Sequence, residues 1–276
     1  LKFEPGRFLG AYFLVNTLIL KQTLAAIKKV NIEQFHPGLS VDCVIFGFHN
    51  SQLKVLLVKM KFTEQWSLPG GLVHREESVE YAAGRVLKDR TGLENIFLRQ
   101  FYLFGEPDRA KGNYNVQMFE HMSPGVATAM KNFFQQRFVT VGYYALVDFS
   151  NVVPHPDYFS DACSWWSLHE IPPLIIDHEK ILNKALETLR LQLKYQPIGY
   201  QLLPEKFTMP ELQKLYETIL GKELDRRNFQ RKMLSYGILK SLGETRKGGA
   251  HKAPYLYSFD LEQYQKALEE GLEGGW

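Results

Sequence analysis

Residues 71–93 constrain this chain more than any other stretch. They read Gly71, five residues, Glu77, seven residues, Arg85, then Val86-Leu87-Lys88-Asp89-Arg90-Thr91-Gly92-Leu93. Val79, Ala82, Ala83, Val86 and Leu87 recur at helical spacing. Glu76, Glu77 and Glu80 suit the positive end of that helix, and Gly92 suits its stop. The preceding "WSLPGGLV" (66–73) is extended and broken by Pro69, Gly70 and Gly71. The pattern dictates a strand, a glycine-bearing loop and a helix with one apolar stripe, which must pack on a sheet.

The flanking sequence supplies that sheet. "LSVDCVIFGFHN" (39–50) and "QLKVLLVKM" (52–60) are β-branched runs around a turn at Asn50-Ser51, and read as a hairpin. Further strands are expected at 95–105, 137–149 and 161–168. Residues 106–136 show no clean period and read as a long loop or insertion, with a short helix at 125–135. "HEKILNKALETLRLQL" (178–193) is amphipathic, with Ile181, Leu182, Ala185, Leu189 and Leu193 on one stripe. The two prolines and the glycine of "KYQPIGYQLLPEKFT" (194–208) mark a domain boundary.

Behind the boundary, "PELQKLYETIL" reads as a helix with Pro210 in its first turn and Gly221 at its stop. A second helix opens at Asp225, a good N-cap. Its spacing turns Phe229, Met233 and Leu234 inward and Arg226, Arg227, Gln230 and Arg231 outward. The remainder reads as a hairpin whose tip carries Arg246 and Lys247. Helix, turn, helix and basic hairpin is the winged-helix layout. Its second helix enters the major groove, where Arg and Asn read base edges. Arg226, Arg227, Asn228, Gln230 and Arg231 are the candidate readers. Arg246, Lys247 and Lys252 are the candidate phosphate contacts of the wing.

Charge agrees with that division. The chain of 276 residues carries +3 overall. Residues 206–257 hold 11 Lys or Arg against 5 Asp or Glu, whereas residues 258–276 hold 1 against 5. One basic segment beside a balanced remainder is a nucleic-acid footprint. Hydrophobic content of 45% and charged content of 23% exclude a disordered or fibrous chain. Cys43 and Cys163 have no metal or redox spacing and read as buried free thiols. The apolar run "FLGAYFLVNTLIL" (8–20), after Lys2 and Arg7, looks like the core of a signal peptide. It lacks a small-residue cleavage site and is short for a membrane span. A cytoplasmic protein without a membrane partner is the expectation.

The 71–93 pattern resembles the Nudix box, the signature of the Nudix hydrolase superfamily. Gly71, Glu77, Arg85, Leu87, Gly92 and Leu93 match in register, and "WSLPGG" matches the usual lead-in. The resemblance implies an α/β/α Nudix sandwich within an α+β chain. It also implies Mg²⁺ held by three glutamates in the second half of the box. Those positions are Val86, Asp89 and Arg90 here, at i, i+3 and i+4. One is apolar, one a shortened acid, and one a cation that repels a divalent ion. The expectation is a degenerate box with no catalytic residue, metal or cofactor. The alternative is a hydrolase of nucleoside diphosphate derivatives with metal ligands relocated to Glu76, Glu77, Glu80 and Asp89.

Together with the winged helix, the whole resembles the Nudix-related bacterial transcriptional regulators, of the arabinose and NAD-metabolism branches. "VDCVIFGF", "SVEYAAGRVLKDRTGLENI", "FGEPDR", "VGYYALV", "IIDHEKIL" and the run from Pro197 carry that resemblance, with the arabinose branch looking closer. It implies a homodimer that binds operator DNA and answers a small effector, an arabinose-like sugar or ADP-ribose. Trp66, Phe104, Asp108, Arg109 and Tyr144 are the candidate effector residues. The expected domains are an N-terminal extension (1–34), a Nudix-like domain (35–195), a linker (196–205), a winged helix (206–260) and an acidic C-terminal tail (261–276).

Overall fold

The computed structural model describes residues 32–61, 63–94, 96, 98–109, 124–156, 160–246 and 253–272. The apolar run at 8–20, residues 110–123 of the expected insertion, Lys247 and Lys252 lie outside the described residues.

Strands β1 (Phe35–His49) and β2 (Gln52–Met60) form the hairpin, with Phe46 opposite Val55. Asn50 and Ser51 turn it at φ of 49° and 60°, the left-handed geometry that matches strand twist. β3 (Trp66–Ser67), β4 (Gly70–His74), β5 (Leu98–Phe104), β6 (Val139–Val147) and β7 (Ser160–Ser167) complete the large sheet. Its path is β3-β2-β1-β6-β5, with β4 paired to β1 and β7 to β2. β1 and β6 run parallel, and their paired segments 41–47 and 141–147 are buried and read as largely apolar runs.

Alternation along β1 assigns the two faces. Val41, Cys43 and Ile45 pack against Ala82, Ala83, Val86 and Leu87 of helix α1 (Val79–Thr91). Val44 and Phe46 pack against Ile181, Leu182, Ala185 and Leu189 of helix α3 (His178–Gln192). The result is an α/β/α sandwich. Ser78 caps α1 by accepting from the Tyr81 N–H, and Gly92 at φ 71° ends it. The irregular stretch after β5 contains helix α2 (Pro124–Phe134).

The second unit comprises β8 (Phe207–Thr208), α4 (Met209–Leu220), α5 (Arg226–Ser235), β9 (Leu239–Thr245) and β10 (Tyr255–Phe259). Its sheet order is β8-β10-β9. Thr208 and Glu211 form a reciprocal capping box on α4. This is a winged helix.

Four details differ from the sequence reading. Leu234 is 44% exposed; only Phe229 and Met233 of α5 are buried, because the turn after α5 carries the inward position on to Ile238. Cys163 is only partly buried. The stretch read as a linker is packed: Pro197, Ile198, Gly199, Leu202 and Leu203 are buried. The stretch read as an acidic tail forms helix α6 (Leu261–Glu270), capped by Asp260. Its Tyr264 is buried and donates to the Pro197 carbonyl at 3.0 Å. No helix among the described residues is long and apolar enough to cross a membrane.

Candidate functional site

Two adjacent glycines open β4 to both faces of the sheet. Gly71 lies across from Val41, and a Cβ there would meet the Val86 side chain of α1 at 2.9 Å. Gly70 lies across from Asp42, and a Cβ there would meet Asp42 Oδ1 at 2.3 Å. The first glycine admits the box helix, and the second admits a buried carboxylate.

On the α1 side the polar residues of the box hold the loop. Glu77 receives the His74 N–H at 2.8 Å and both arms of Arg85, at 2.5 and 3.1 Å. Arg85 also donates to the Leu72 carbonyl at 3.0 Å. Burial pushes the Glu77 carboxyl up, but the Arg85 and His74 hydrogen bonds outweigh it and hold its pKa below the usual range. Glu77 and Arg85 thus tie the loop to the helix.

The helix face expected to meet a metal carries Val86, Asp89 and Arg90. Val86 and Arg90 are buried, while Asp89 is exposed. Glu76 and Glu80 are exposed too, and both oxygens of Glu77 are engaged. Among the described residues, no group of three or more His, Cys, Asp or Glu could hold a metal ion.

On the α3 side, buried polar groups converge at the start of that helix. Arg109 donates to both oxygens of Asp177, at 2.9 and 2.8 Å, and its side chain is 4% exposed. Asp42 lies 3.7 Å from the same guanidinium and accepts from Thr140 Oγ1 at 2.8 Å. His178 Nδ1 accepts the Leu68 N–H at 2.9 Å, and Nε2 faces Asp42 at 3.7 Å. The neutral tautomer therefore carries its proton on Nε2. Asp42, Thr140, Asp177 and His178 were not singled out in the sequence. The one available signal was Asp177-His178 at a helix start.

Burial holds the His178 pKa below 6.5; Arg109 adds to that, and Asp42 and Asp177 oppose it. The unfolded chain therefore binds a proton here first as pH falls. Stability from this group is complete above 6.5 and is lost as pH falls toward the depressed folded value. The thermal midpoint of the wild type is expected to drop on the acid side of 6.5. His178→Gln, which keeps an acceptor for Leu68, should flatten that drop. An unchanged acid slope in the variant would remove His178 as its source.

The five expected effector residues do not form one pocket. Trp66 sits at the start of α3: its N–H reaches the Pro173 carbonyl at 3.1 Å and its carbonyl the Ile175 N–H at 2.9 Å. Its half-buried ring stands edge-on to Trp166. Arg109 is at the same end, but it is sequestered by Asp177 rather than open to a ligand. Tyr144 is at the other end of α3, where its hydroxyl donates to Gln192. Fifteen helical residues separate the two ends, about 22 Å. Burial pushes the Tyr144 hydroxyl up to about 12, despite Arg99 and Gln192 beside it. Phe104 is buried core. Asp108 is exposed in a turn.

In the winged helix, Arg226, Arg227, Asn228 and Arg231 are exposed on α5 and Gln230 is half-buried. Asp225 caps the helix through the Asn228 N–H at 2.9 Å, and Arg231 donates to Asn228 Oδ1 at 3.0 Å. At the base of the wing Arg246 pairs with Glu211 and donates to the Lys206 carbonyl at 3.3 Å. That ties the wing to the start of α4.

Comparison with known proteins covers both units. The NUDIX domain model matches residues 36–188, and the model of the NrtR DNA-binding winged helix domain matches residues 199–259. The ADPR responsive transcriptional repressor NtrR of Acinetobacter baylyi is 28% identical over 244 residues, covering 86% of this chain and 88% of that protein. The crystal structure of Shewanella oneidensis NrtR complexed with a 27mer DNA aligns with a TM-score of 0.67 at 26% identity. It covers 86% of this chain and 99% of that one. An ADP-ribose pyrophosphatase of Methanocaldococcus jannaschii is 32% identical over 107 residues, which is 36% of this chain and 61% of that protein.

Proposed function

The chain belongs to the NUDIX domain family, and from that premise we propose that it is a DNA-binding transcriptional repressor whose Nudix domain responds to ADP-ribose. The observation that carries this reading is the joint match. One relative named as an ADP-ribose-responsive repressor, and one structure solved on DNA, each cover 86% of the chain, through both the sandwich and the winged helix. The exposed basic start of α5 supports the same reading, because a recognition helix reads bases with its N-terminal residues. A homodimer on a two-fold operator follows from this mode of binding.

The Nudix domain is in this reading a sensor and not a hydrolase. Buried Val86 and Arg90 support that, since neither can ligate Mg²⁺. The effector is ADP-ribose rather than an arabinose-like sugar, supported by the description of the Acinetobacter relative. Trp66 and Asp108 keep solvent-exposed surface and are the two expected effector residues still open to it.

The test is binding of the purified chain to the DNA upstream of its own gene, against random DNA over a salt series. ADP-ribose is expected to weaken the sequence-preferring complex, and arabinose to leave it unchanged. Binding that is equal on all DNA and erased by salt would sink the regulator reading. Release by arabinose alone would move the effector to the sugar branch. Sustained Mg²⁺-dependent cleavage of ADP-ribose would overturn the sensor reading and restore the hydrolase.

A further inference from the structure

The packed stretch at 196–203 roofs a cavity of about 290 Å³ between the sandwich and the C-terminal helix α6. We propose that this cavity is a ligand site separate from the end of α3 where Trp66 and Asp108 keep exposed surface, and that it takes a small organic monoanion with a planar apolar body.

The charge argument comes first. Arg99 of β5 lines the cavity, and no Asp or Glu does. Among the described residues Arg99 makes no ion pair. The half-buried Arg99 side chain has no counter-charge beside it, and an anion would supply one. Its neighbours hold it in place without neutralising it. Gln196 Oε1 accepts from Arg99 at 2.5 Å, and the orientation of that amide is fixed because its NH₂ donates to the Leu268 carbonyl at 2.7 Å. The amide and the Tyr144 hydroxyl occupy part of the guanidinium fork, which has five N–H donors, and leave the rest for a ligand.

The walls set the rest of the ligand. Tyr200 and Tyr264 stand with ring centroids 5.7 Å apart, and Leu146 and Leu268 complete an apolar surface. One cation and an aromatic, aliphatic wall suit one carboxylate or phosphate on a flat body. A polyanion such as a dinucleotide would find only one positive partner here. The volume is at the lower limit for a drug-sized site. Tyr144, expected at an effector pocket, belongs to this cavity.

The position gives the site a consequence. Its lining joins β5 and β6 of the sandwich to α6, which follows the wing directly in sequence. An occupant would bear on how the winged helix is held.

The experiment is fluorine NMR of the full chain with para-fluorobenzoate, with inorganic phosphate and ADP-ribose as competitors. A fragment of ten heavy atoms should bind saturably with a dissociation constant on the order of 1 mM. Arg99→Lys, which keeps the charge, should bind comparably, and Arg99→Gln about tenfold more weakly. Both variants should still bind operator DNA and release it with ADP-ribose. No saturable binding, or equal binding by Arg99→Gln and wild type, overturns the proposal. Displacement by phosphate as effective as by unlabelled benzoate overturns the planar body. Displacement by ADP-ribose overturns the separateness of the site. Arg99→Met, which keeps the apolar stem and removes the charge, replaces Arg99→Gln should that variant fold poorly, and it too should bind about tenfold more weakly. The outcomes on para-fluorobenzoate binding and its displacement do not depend on whether the protein binds DNA or represses transcription.

Discussion

Arg109→Ala is expected to destabilise the protein by about 3–5 kcal/mol, because it strands a buried carboxylate rather than merely removing a contact. Asp177, 8% exposed, would lose both of its strong hydrogen bonds, and Asp42 would lose its nearest cation. For a chain of this length the thermal midpoint should fall by roughly 6–20 °C. The double variant Arg109→Met/Asp177→Leu should recover most of the loss, since apolar replacements of a buried pair are often tolerated. Asp42 remains held by Thr140 in that variant. A single variant with an unchanged midpoint would show that the cluster is not desolvated in solution. A double variant no better than the single one would place the cost in lost packing instead of stranded charge.

The second large effect is expected on operator binding. Arg226 and Arg227 lie at the exposed start of α5, and among the described residues neither makes an ion pair. Removing an Arg that reads a base costs roughly 5- to 100-fold in specific affinity, whereas loss of a phosphate contact weakens all DNA alike and lowers the salt slope. Arg226→Ala/Arg227→Ala is therefore expected to lower operator affinity at least about tenfold. The fold and the ADP-ribose response of any residual complex should stay intact, because surface substitutions seldom move stability. Fluorescence anisotropy on operator and random DNA reads both. Unchanged operator affinity would take α5 out of the interface.

Much of the fold was legible because its signals are local. The Nudix box fixes Gly71 against Val86 and Glu77 against Arg85 within one loop and helix. β1 and β6 announce themselves as largely apolar runs because their paired segments are buried on two faces. Helix α6 was legible too, with Asp260 as its cap and Tyr264 and Leu268 one turn apart, yet its three glutamates read equally as a charged tail. The buried polar cluster was not legible. Asp42, Arg109 and Asp177 meet only after β1, the turn beyond β5 and the start of α3 have been assembled, and no spacing in the chain encodes that. The same is true of Tyr144. Its aromatic, polar character was apparent, but which end of α3 it meets depends on parallel pairing of β6 with β1.

One apolar cluster runs without a break from Val44 and Phe46 of the sandwich, through Leu189, Leu193 and Ile198, to Leu212 and Phe229 of the winged helix and Tyr264 of α6. The chain is modular as text, with a separate family match for each unit. As matter it has a shared interior. The winged helix is then not a cassette that could be cut at residue 196 and grafted elsewhere, because part of its own core would stay behind. In the proposed regulator, a signal arising in the Nudix domain need not cross a flexible tether to reach α5, since both are built on the same packed side chains.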